Sequence, residues 1–426
     1  MLALTLIRSD PDLVRDSLRK RREDPALVDQ ILDADARRRA TVDDRDTLRA
    51  EQNRASKEIG KAGKPSEEAL ARLRDLRERI RQLDEEATAI EAGLNGLLLA
   101  LPNLVDPSVP YGEDEHDNEV LRQVGEPKAF DFAPKPHWEL GEKLGIIDFE
   151  RGVKLSGSRF YHLRGGAARL QRALISWFLD VHTREHGFLE IYPPALVKEA
   201  VMIGSGQLPK FYDNLYHDAV EDLWLIPTSE VVLVNLHADE ILPPDALPVR
   251  YVAYSPCFRR EQFSAGRDVR GIKRGHQFDK VEMVIVVEPS TSGAELDRML
   301  AQAATLLERL GLPYRVLQLC TGDLGFAMTK TFDLEVWAPG CDEWLEVSSC
   351  SNAGDYQARR ANLRWRRDPS GRPEFPHTLN GSGLALPRVL IAVLETYQQA
   401  DGTIRVPDVL KPWMGGDDVI GPATPP

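Results

Sequence analysis

The 426-residue chain contains no run of 18 or more apolar residues. No basic segment at its N-terminus leads into an apolar stretch and a small-residue cleavage site. Neither a membrane span nor a secretory leader is expected, which points to a soluble, cytoplasmic protein. Cysteine is scarce: Cys257, Cys320, Cys341 and Cys350 are widely spaced, form no C-x-x-C pair and have no histidine cluster nearby. That excludes a disulfide framework and a structural zinc site and predicts reduced thiols. Also missing are a G-x-x-x-x-G-K-[ST] loop and a strand-linked G-x-G-x-x-G, so any bound nucleotide must be held by other means.

With 42% hydrophobic and 28% charged residues, the chain is long enough for two or three domains and one sizeable core. Its net charge of −13 is uneven. Residues 1–100 carry 20 Lys and Arg against 21 Asp and Glu, and the remainder 34 against 46. The acidity therefore lies beyond residue 100, and a phosphate-binding face on the N-terminal part remains open.

From Glu68 to Leu101 two seven-residue series interleave: Leu76, Leu83, Ile90, Leu97 and Leu73, Ile80, Ala87, Leu94. Alternating steps of three and four define an a/d seam over more than three heptads. Upstream, Pro25 to Ile59 has no internal proline or glycine and places Ala34, Thr41, Leu48 and Ala55 at the same step. Gly60 to Ser66 reads as a turn, with Ser66 and Glu67-Glu68 as a helix start. The spacing predicts an antiparallel two-helix arm about 50 Å long. Arg37, Arg38, Arg39, Arg45, Arg49 and Arg54 on one helix and Arg72, Arg74, Arg77, Arg79 and Arg81 on the other lie off the seam. Such residues form either a solvated face or a grip on a polyanion backbone.

Asp106 to Pro127 is acidic, proline-containing and aperiodic, which places a domain boundary near residue 105. The expected division is an arm at 1–104, a linker at 105–130, a catalytic domain at 131–415 and a flexible tail at 416–426. In the third part, helical patterns at 167–186, 293–310 and 386–399 accompany strand candidates at 223–226, 251–258, 282–287, 314–320, 331–337 and 343–348. Strands dominate without a one-strand-one-helix rhythm, so the fold class is α+β with a mostly antiparallel sheet flanked by helices.

Two segments stand out within it. Phe258-Arg259-Arg260-Glu261 is followed, across a polar loop, by His276-Gln277-Phe278-Asp279-Lys280-Val281-Glu282. The flanks read as two strands of a long hairpin, which lets Arg259, Glu261, Phe278 and Glu282 project from one face into one pocket. Alternating charge facing water at a sheet edge gives the same pattern.

These residues resemble a known family. Gly187-Phe188-Leu189-Glu190-Ile191-Tyr192-Pro193-Pro194, then Phe258 to Glu261, then Asn380-Gly381-Ser382-Gly383-Leu384-Ala385-Leu386-Pro387-Arg388 resemble, in order, the three signature motifs of class II aminoacyl-tRNA synthetases. Thr228-Ser229-Glu230, His276 to Glu282, Glu346-Val347-Ser348-Ser349 and the helical arm are similar to the bacterial seryl type. Pro387 stands where the family often has glycine, and Ala3 where an acidic residue is common. A prolyl or threonyl type, an amino-acid:carrier-protein ligase and a non-catalytic RNA-binding relative are the competing readings.

The resemblance implies activation of L-serine with ATP and Mg²⁺ and transfer to tRNA(Ser) by a homodimer, and leaves open whether tRNA(Sec) is a further acceptor. Arg259 and Arg388 would carry the catalytic charge stabilisation. Thr228, Ser229, Glu230, Glu282, Asn380 and Ser382 would bind serine. Arg260, Glu261, Arg274, Gly275, Phe278, Val347 and Ser348 would join Arg259 and Arg388 around ATP, with Lys273 beside them. Glu346 and Ser349 would serve both ATP and the metal. On the arm, Arg37, Arg38, Arg45, Arg77 and Arg81 are the expected RNA contacts.

Overall fold

A computed structural model describes residues 1–62, 66–262 and 270–423. Of the expected Gly60–Ser66 turn, Gly60 to Ala62 belong to the first long helix, and Gly63 to Pro65 lie outside the described residues, as do the middle of the hairpin loop and the last three residues of the expected tail. By its contacts the chain divides into a unit of residues 2–102 and a unit of Met1 with 103–426.

The smaller unit consists of short helices α1 (Leu4–Ser9) and α2 (Pro11–Lys20) and long helices α3 (Ala26–Ala62) and α4 (Glu67–Ala100). The side chain of Ser66 accepts from the Ala69 amide at 3.1 Å, capping α4 where the sequence signalled a start. Leu73, Leu76, Ile80, Leu83, Ala87 and Leu94 are buried on the expected seam. At its end Leu98, not Leu97, is buried. A straight helix advances 3.6 residues per turn, so a strict seven-residue series drifts off the contact line.

The larger unit is organised on one eight-stranded sheet. In chain order its strands are β1 (Glu119–Val124), β2 (Leu189–Glu190), β3 (Val249–Phe258), β4 (Gln277–Val287), β5 (Tyr314–Gln318), β6 (Lys330–Ala338), β7 (Glu343–Asn352) and β8 (His377–Ala385). Their spatial order is β1-β5-β6-β7-β8-β4-β3-β2. All neighbours are antiparallel except β2 and β3 at one edge. Helices α5 (His137–Leu144), α6 (Gly165–Arg184), α7 (Ser292–Arg309) and α8 (Leu386–Thr396) accompany it. Along β4, Val281, Met283, Ile285 and Val287 join side chains of α6, α7 and α8 in the main core. The period of two turns Phe278, Lys280 and Glu282 to the other face.

Two expectations on chain organisation differ from what is seen. Within the expected linker, Glu119–Val124 is an edge strand paired with β5, and five of its six residues are exposed. With so little buried, it lacks the alternation that announces a strand. The expected tail is anchored as far as it is described: Val419–Ile420 pairs with Ile404–Arg405, and Ile420 is buried in the main core.

Candidate active site

A cavity of roughly 350 Å³ opens on the sheet face opposite the core helices. Strand alternation and two bulges shape its walls. On β4 the pleat presents Phe278, Lys280 and Glu282 to it. Between β8 and β4, Ser382 opposes Glu282 while Ala385 opposes Lys280, so β8 carries one extra residue. That bulge keeps Asn380, Ser382 and Ala385 on the same wall. A second bulge, at Val347, separates the pairs Leu334–Ser348 and Glu335–Glu346. Without it Glu346 and Ser349, three apart, would face opposite sides; with it both line the cavity.

The glycines of the Asn380 to Gly383 run have a packing reason. A Cβ on Gly381 would sit 2.8 Å from Met299 Sδ of α7, and one on Gly383 would sit 2.4 Å from His182 Nε2 of α6. Helices lie flush against this strand because it has no side chains there. His182 approaches the Gly383 carbonyl at 3.1 Å, and burial pushes its pKa down to about 3, so the ring is neutral.

One end of the cavity is buried and carboxylate-rich. Thr228, Glu230, Glu282, Asn380 and Ser382 are each less than a tenth exposed and line it. Gln357 Nε2 donates to Glu230 Oε1 at 2.6 Å and to the Ser205 carbonyl at 2.9 Å, while its own oxygen accepts from Thr378 Oγ1 at 2.7 Å. Burial, reinforced by the charge of Glu282, pushes Glu230 up to about 7 despite Lys280, Gln357 and Asn380. Lys280 pairs with Glu282. Asn380 Oδ1 is buried and has no hydrogen-bond partner among the described residues.

The other end holds cations. Arg259 Nε donates to the Pro227 carbonyl at 3.2 Å, and its guanidinium lies 5.1 Å from the Phe278 ring centroid. Arg274 pairs with Glu261 at 3.2 Å. Arg388 Nη1 donates to Glu346 at its carbonyl, 2.9 Å, and its carboxylate, 3.1 Å. Lys273 pairs with Glu343. The Arg388 guanidinium, with Arg259 beyond it, holds the Glu346 carboxyl below the usual carboxylate range. Asp333, opposite Ser349 on β6, is driven far up by burial and by Glu346. The charge of this pair thus resides on Glu346.

Four expected residues are not part of the lining. Ser229 is buried behind it and bonds Ser255 Oγ at 2.6 Å. Arg260 points away, its Nε donating to the Leu215 carbonyl at 2.9 Å and its guanidinium over Tyr216. Val347 packs in the main core, and Ser348 Oγ donates to the Ser382 carbonyl at 2.6 Å. Each neighbours a lining residue: Ser229 stands in helical conformation at the start of the helix Glu230–Asn235, Arg260 follows the end of β3, and Val347 and Ser348 sit at the bulge of β7. Lys280, Ser351 and Gln207 line the cavity without having been expected. Alternation from Phe278 and Glu282 contained the signal for Lys280; nothing local announces Gln207 or Gln357.

On the arm, Asp35 is fully buried and collects Arg8 at 2.6 Å, Arg39 at 3.1 Å and Arg38 at 3.5 Å. Arg45 bridges Asp46 and Asp84, and Arg81 bridges Glu78 and Glu85. Arg37 lies 4.0 Å from Asp33. Arg77 is exposed and has no carboxylate partner among the described residues.

Residues 213–397 match the family model of the tRNA synthetase class II core domain (G, H, P, S and T), and residues 1–105 that of the seryl-tRNA synthetase N-terminal domain. The serine–tRNA ligase of Thermomicrobium roseum is 61% identical over 423 residues, covering 99% of this chain and 95% of that protein. That of a Roseiflexus species is 59% identical over 422 residues, covering 99% of each. Among solved structures, seryl-tRNA synthetase from Pyrococcus horikoshii complexed with ATP superposes with a TM-score of 0.93 at 40% identity over 100% of both chains. Prolyl-tRNA synthetase of Giardia lamblia, at 13% identity and a TM-score of 0.55, shares the fold alone.

Proposed function

The chain belongs to the seryl-tRNA synthetase family and joins L-serine to tRNA using ATP, and we propose that the cavity walled by β4, β7 and β8 performs the activation. The observation that carries this reading is the union, in one cavity, of a buried carboxylate and hydroxyl end with a cationic end. A serine carboxylate oxygen attacks the α-phosphorus of ATP; the new P–O bond forms as the bond to the bridging oxygen of pyrophosphate breaks. The protein supplies position and charge rather than a nucleophile.

Arg259 meets the α-phosphate through its fork of donors, and Arg388 the γ-phosphate end. Arg274 and Lys273 face the triphosphate. Phe278 lies against adenine, and Glu261 accepts from its amino group. Glu346 and Ser349 fit a hard ion that keeps most of its shell on water and phosphate: one carboxylate that stays ionised and one hydroxyl, brought to one face by the Val347 bulge. Mg²⁺ held there would neutralise phosphate charge.

At the other end, Glu230 and Glu282 face the substrate ammonium, while Thr228, Asn380 and Ser382 offer polar partners to the amine and hydroxyl. Buried groups built for a hydroxyl are left unpaired by alanine, so discrimination of about 10⁴ is attainable in the binding step. In the second step a ribose hydroxyl at the tRNA 3′ end attacks the activated carbonyl, and AMP leaves.

The proposal assigns residues 1–104 to tRNA binding through the arm and residues 131–415 to catalysis. It names tRNA(Ser) as acceptor, extends to tRNA(Sec), and places the protein in the cytoplasm; no described helix is long and apolar enough to cross a membrane. A homodimer is proposed through the edge carrying β2, where Leu189 is 61% and Tyr192 93% exposed. The test is serine-dependent ATP–pyrophosphate exchange, lost in Glu282→Ala. Exchange driven by proline or threonine and not by serine overturns the reading.

A further inference from the structure

Outside the cavity lining, His137 at the start of α5, Glu395 near the end of α8 and Cys341 form a cluster, the first two fully buried. Its atoms are close enough to hold a metal ion, yet hydrogen bonds already occupy them. His137 Nδ1 lies 2.8 Å from Glu395 Oε1, which also accepts from the His137 amide at 2.8 Å and from Cys341 Sγ at 3.1 Å. Glu395 Oε2 accepts from the amides of Gly340, 2.9 Å, and Cys341, 3.0 Å. Burial raises this carboxyl, but the His137 and Cys341 hydrogen bonds outweigh it and hold it ionised.

The remaining nitrogen, Nε2, accepts from the backbone amide of Ile272 at 3.1 Å. A backbone N–H only donates, so Nε2 is unprotonated and the proton sits on Nδ1, facing Glu395. The chain Glu395, His137, Ile272 therefore has one direction. Ile272 is itself fully buried, and the residues that follow it, Lys273, Arg274 and Gly275, line the cavity. The Lys273 carbonyl faces Arg388 Nε at 3.5 Å, and its ammonium lies 5.9 Å from the ring centroid of Trp138, the next residue on α5. Gly271 shows how closely the loop rides on the imidazole. A Cβ there would lie 1.9 Å from His137 Nε2, and its φ of +74° is one that favours glycine.

We infer that His137, oriented by Glu395, is a positioning residue for ATP: it fixes the backbone at Ile272 so that Lys273 and Arg274 face the triphosphate. Helix α8 then serves the nucleotide twice, through Arg388 at its start and through Glu395 two turns later. The inference rests on the ATP reading of the cavity. It also accounts for a buried histidine and carboxylate that no step of the chemistry uses.

The experiment measures KM for ATP, KM for serine and kcat in ATP–pyrophosphate exchange, with thermal melting, on the full chain carrying His137→Phe, His137→Gln or Gly271→Ala. Phe keeps the ring volume without nitrogens; Gln offers an oxygen that can accept from Ile272. His137→Phe is expected to raise KM for ATP about tenfold or more while KM for serine stays within about twofold, as a misplaced clamp requires. His137→Gln should recover most of that loss, and Gly271→Ala should reproduce it from the loop side with His137 and Glu395 both in place in the sequence. An unchanged KM for ATP in Gly271→Ala overturns the inference even if His137→Phe fails to fold. So does a parallel rise of both KM values, or a Gln variant no better than Phe. Absence of serine-dependent exchange in the unaltered chain overturns the ATP reading itself, and the inference with it.

Discussion

Arginines are plentiful in two places of this chain, and they mean different things there. On the arm Arg45 and Arg81 are each bracketed by carboxylates on or across the helices, and Arg38 and Arg39 crowd around buried Asp35. Solvent-facing pairs such as those of Arg81 contribute little and are screened by salt, so they fix little geometry and only partly offset the pull of the cation on a phosphate. In the cavity Arg259, Arg274 and Arg388 come from distant points of the sequence and converge on one space, each held by a named oxygen. Convergence on one cavity suits cations proposed to stabilise a reacting group; abundance on an outer face suits a proposed polyanion grip.

The largest way to break that contrast is Arg259→Ala. It should lower serine-dependent exchange by about 10²–10³, the scale of removing one preorganised donor from a transition state. A change below about fivefold would place Arg259 with the arm arginines. Next in size, deleting residues 30–95 should leave exchange within about twofold and reduce tRNA charging by about 10² or more, since the backbone contacts proposed for the arm would supply affinity and not chemistry. Undiminished charging removes the arm from the account.

The carboxylate end gives an intermediate effect. In the proposed role of attracting the serine ammonium Glu230 must be ionised, and its pKa is raised to about 7 by burial and by Glu282. Because the charged form binds, affinity is full above that value and is lost as pH falls through it. KM for serine should rise about tenfold between pH 8 and pH 6, with KM for ATP moving much less. Glu230→Gln should raise KM for serine about tenfold or more at pH 8 and remove the pH step; a step that persists in this variant assigns it elsewhere. The smallest effect belongs to single arm residues. Arg77→Ala, at an exposed arginine without a carboxylate partner among the described residues, should weaken tRNA binding a few-fold and reduce its salt dependence by about one phosphate contact. Arg81→Ala, starting from a paired side chain, should do less, which competition binding at two salt concentrations can resolve.

What could be read from the sequence follows the range of the forces involved. The arm was legible because its seam repeats; it departs at Leu97 against Leu98, where helical pitch and a strict heptad part company, and Ile90 and, on α3, Ala34, Leu48 and Ala55 are only partly buried. The lining of β4 was legible because a strand projects every second residue. Ser229, Arg260, Val347 and Ser348 were expected beside true lining residues because a linear motif does not show which side of the chain each occupies. Whether Glu346 and Ser349 could share a face depended on the Val347 bulge, which is set by pairing with β6 rather than by local preference. Gln357, on the short helix Tyr356–Arg360, reaches Glu230 from 127 positions away and has no local signature. Edge strand β1 escaped notice because it buries almost nothing.

The division of one cavity into a serine end and an ATP end is tested most directly by an amino-acid panel in ATP–pyrophosphate exchange, read as kcat/KM for each amino acid at saturating ATP. Serine should support exchange with alanine lower by about 10⁴, because Thr228, Asn380 and Ser382 would be left unpaired by a methyl group. Alanine within about a hundredfold of serine, or threonine or proline exceeding it, would contradict the assignment of that end to serine.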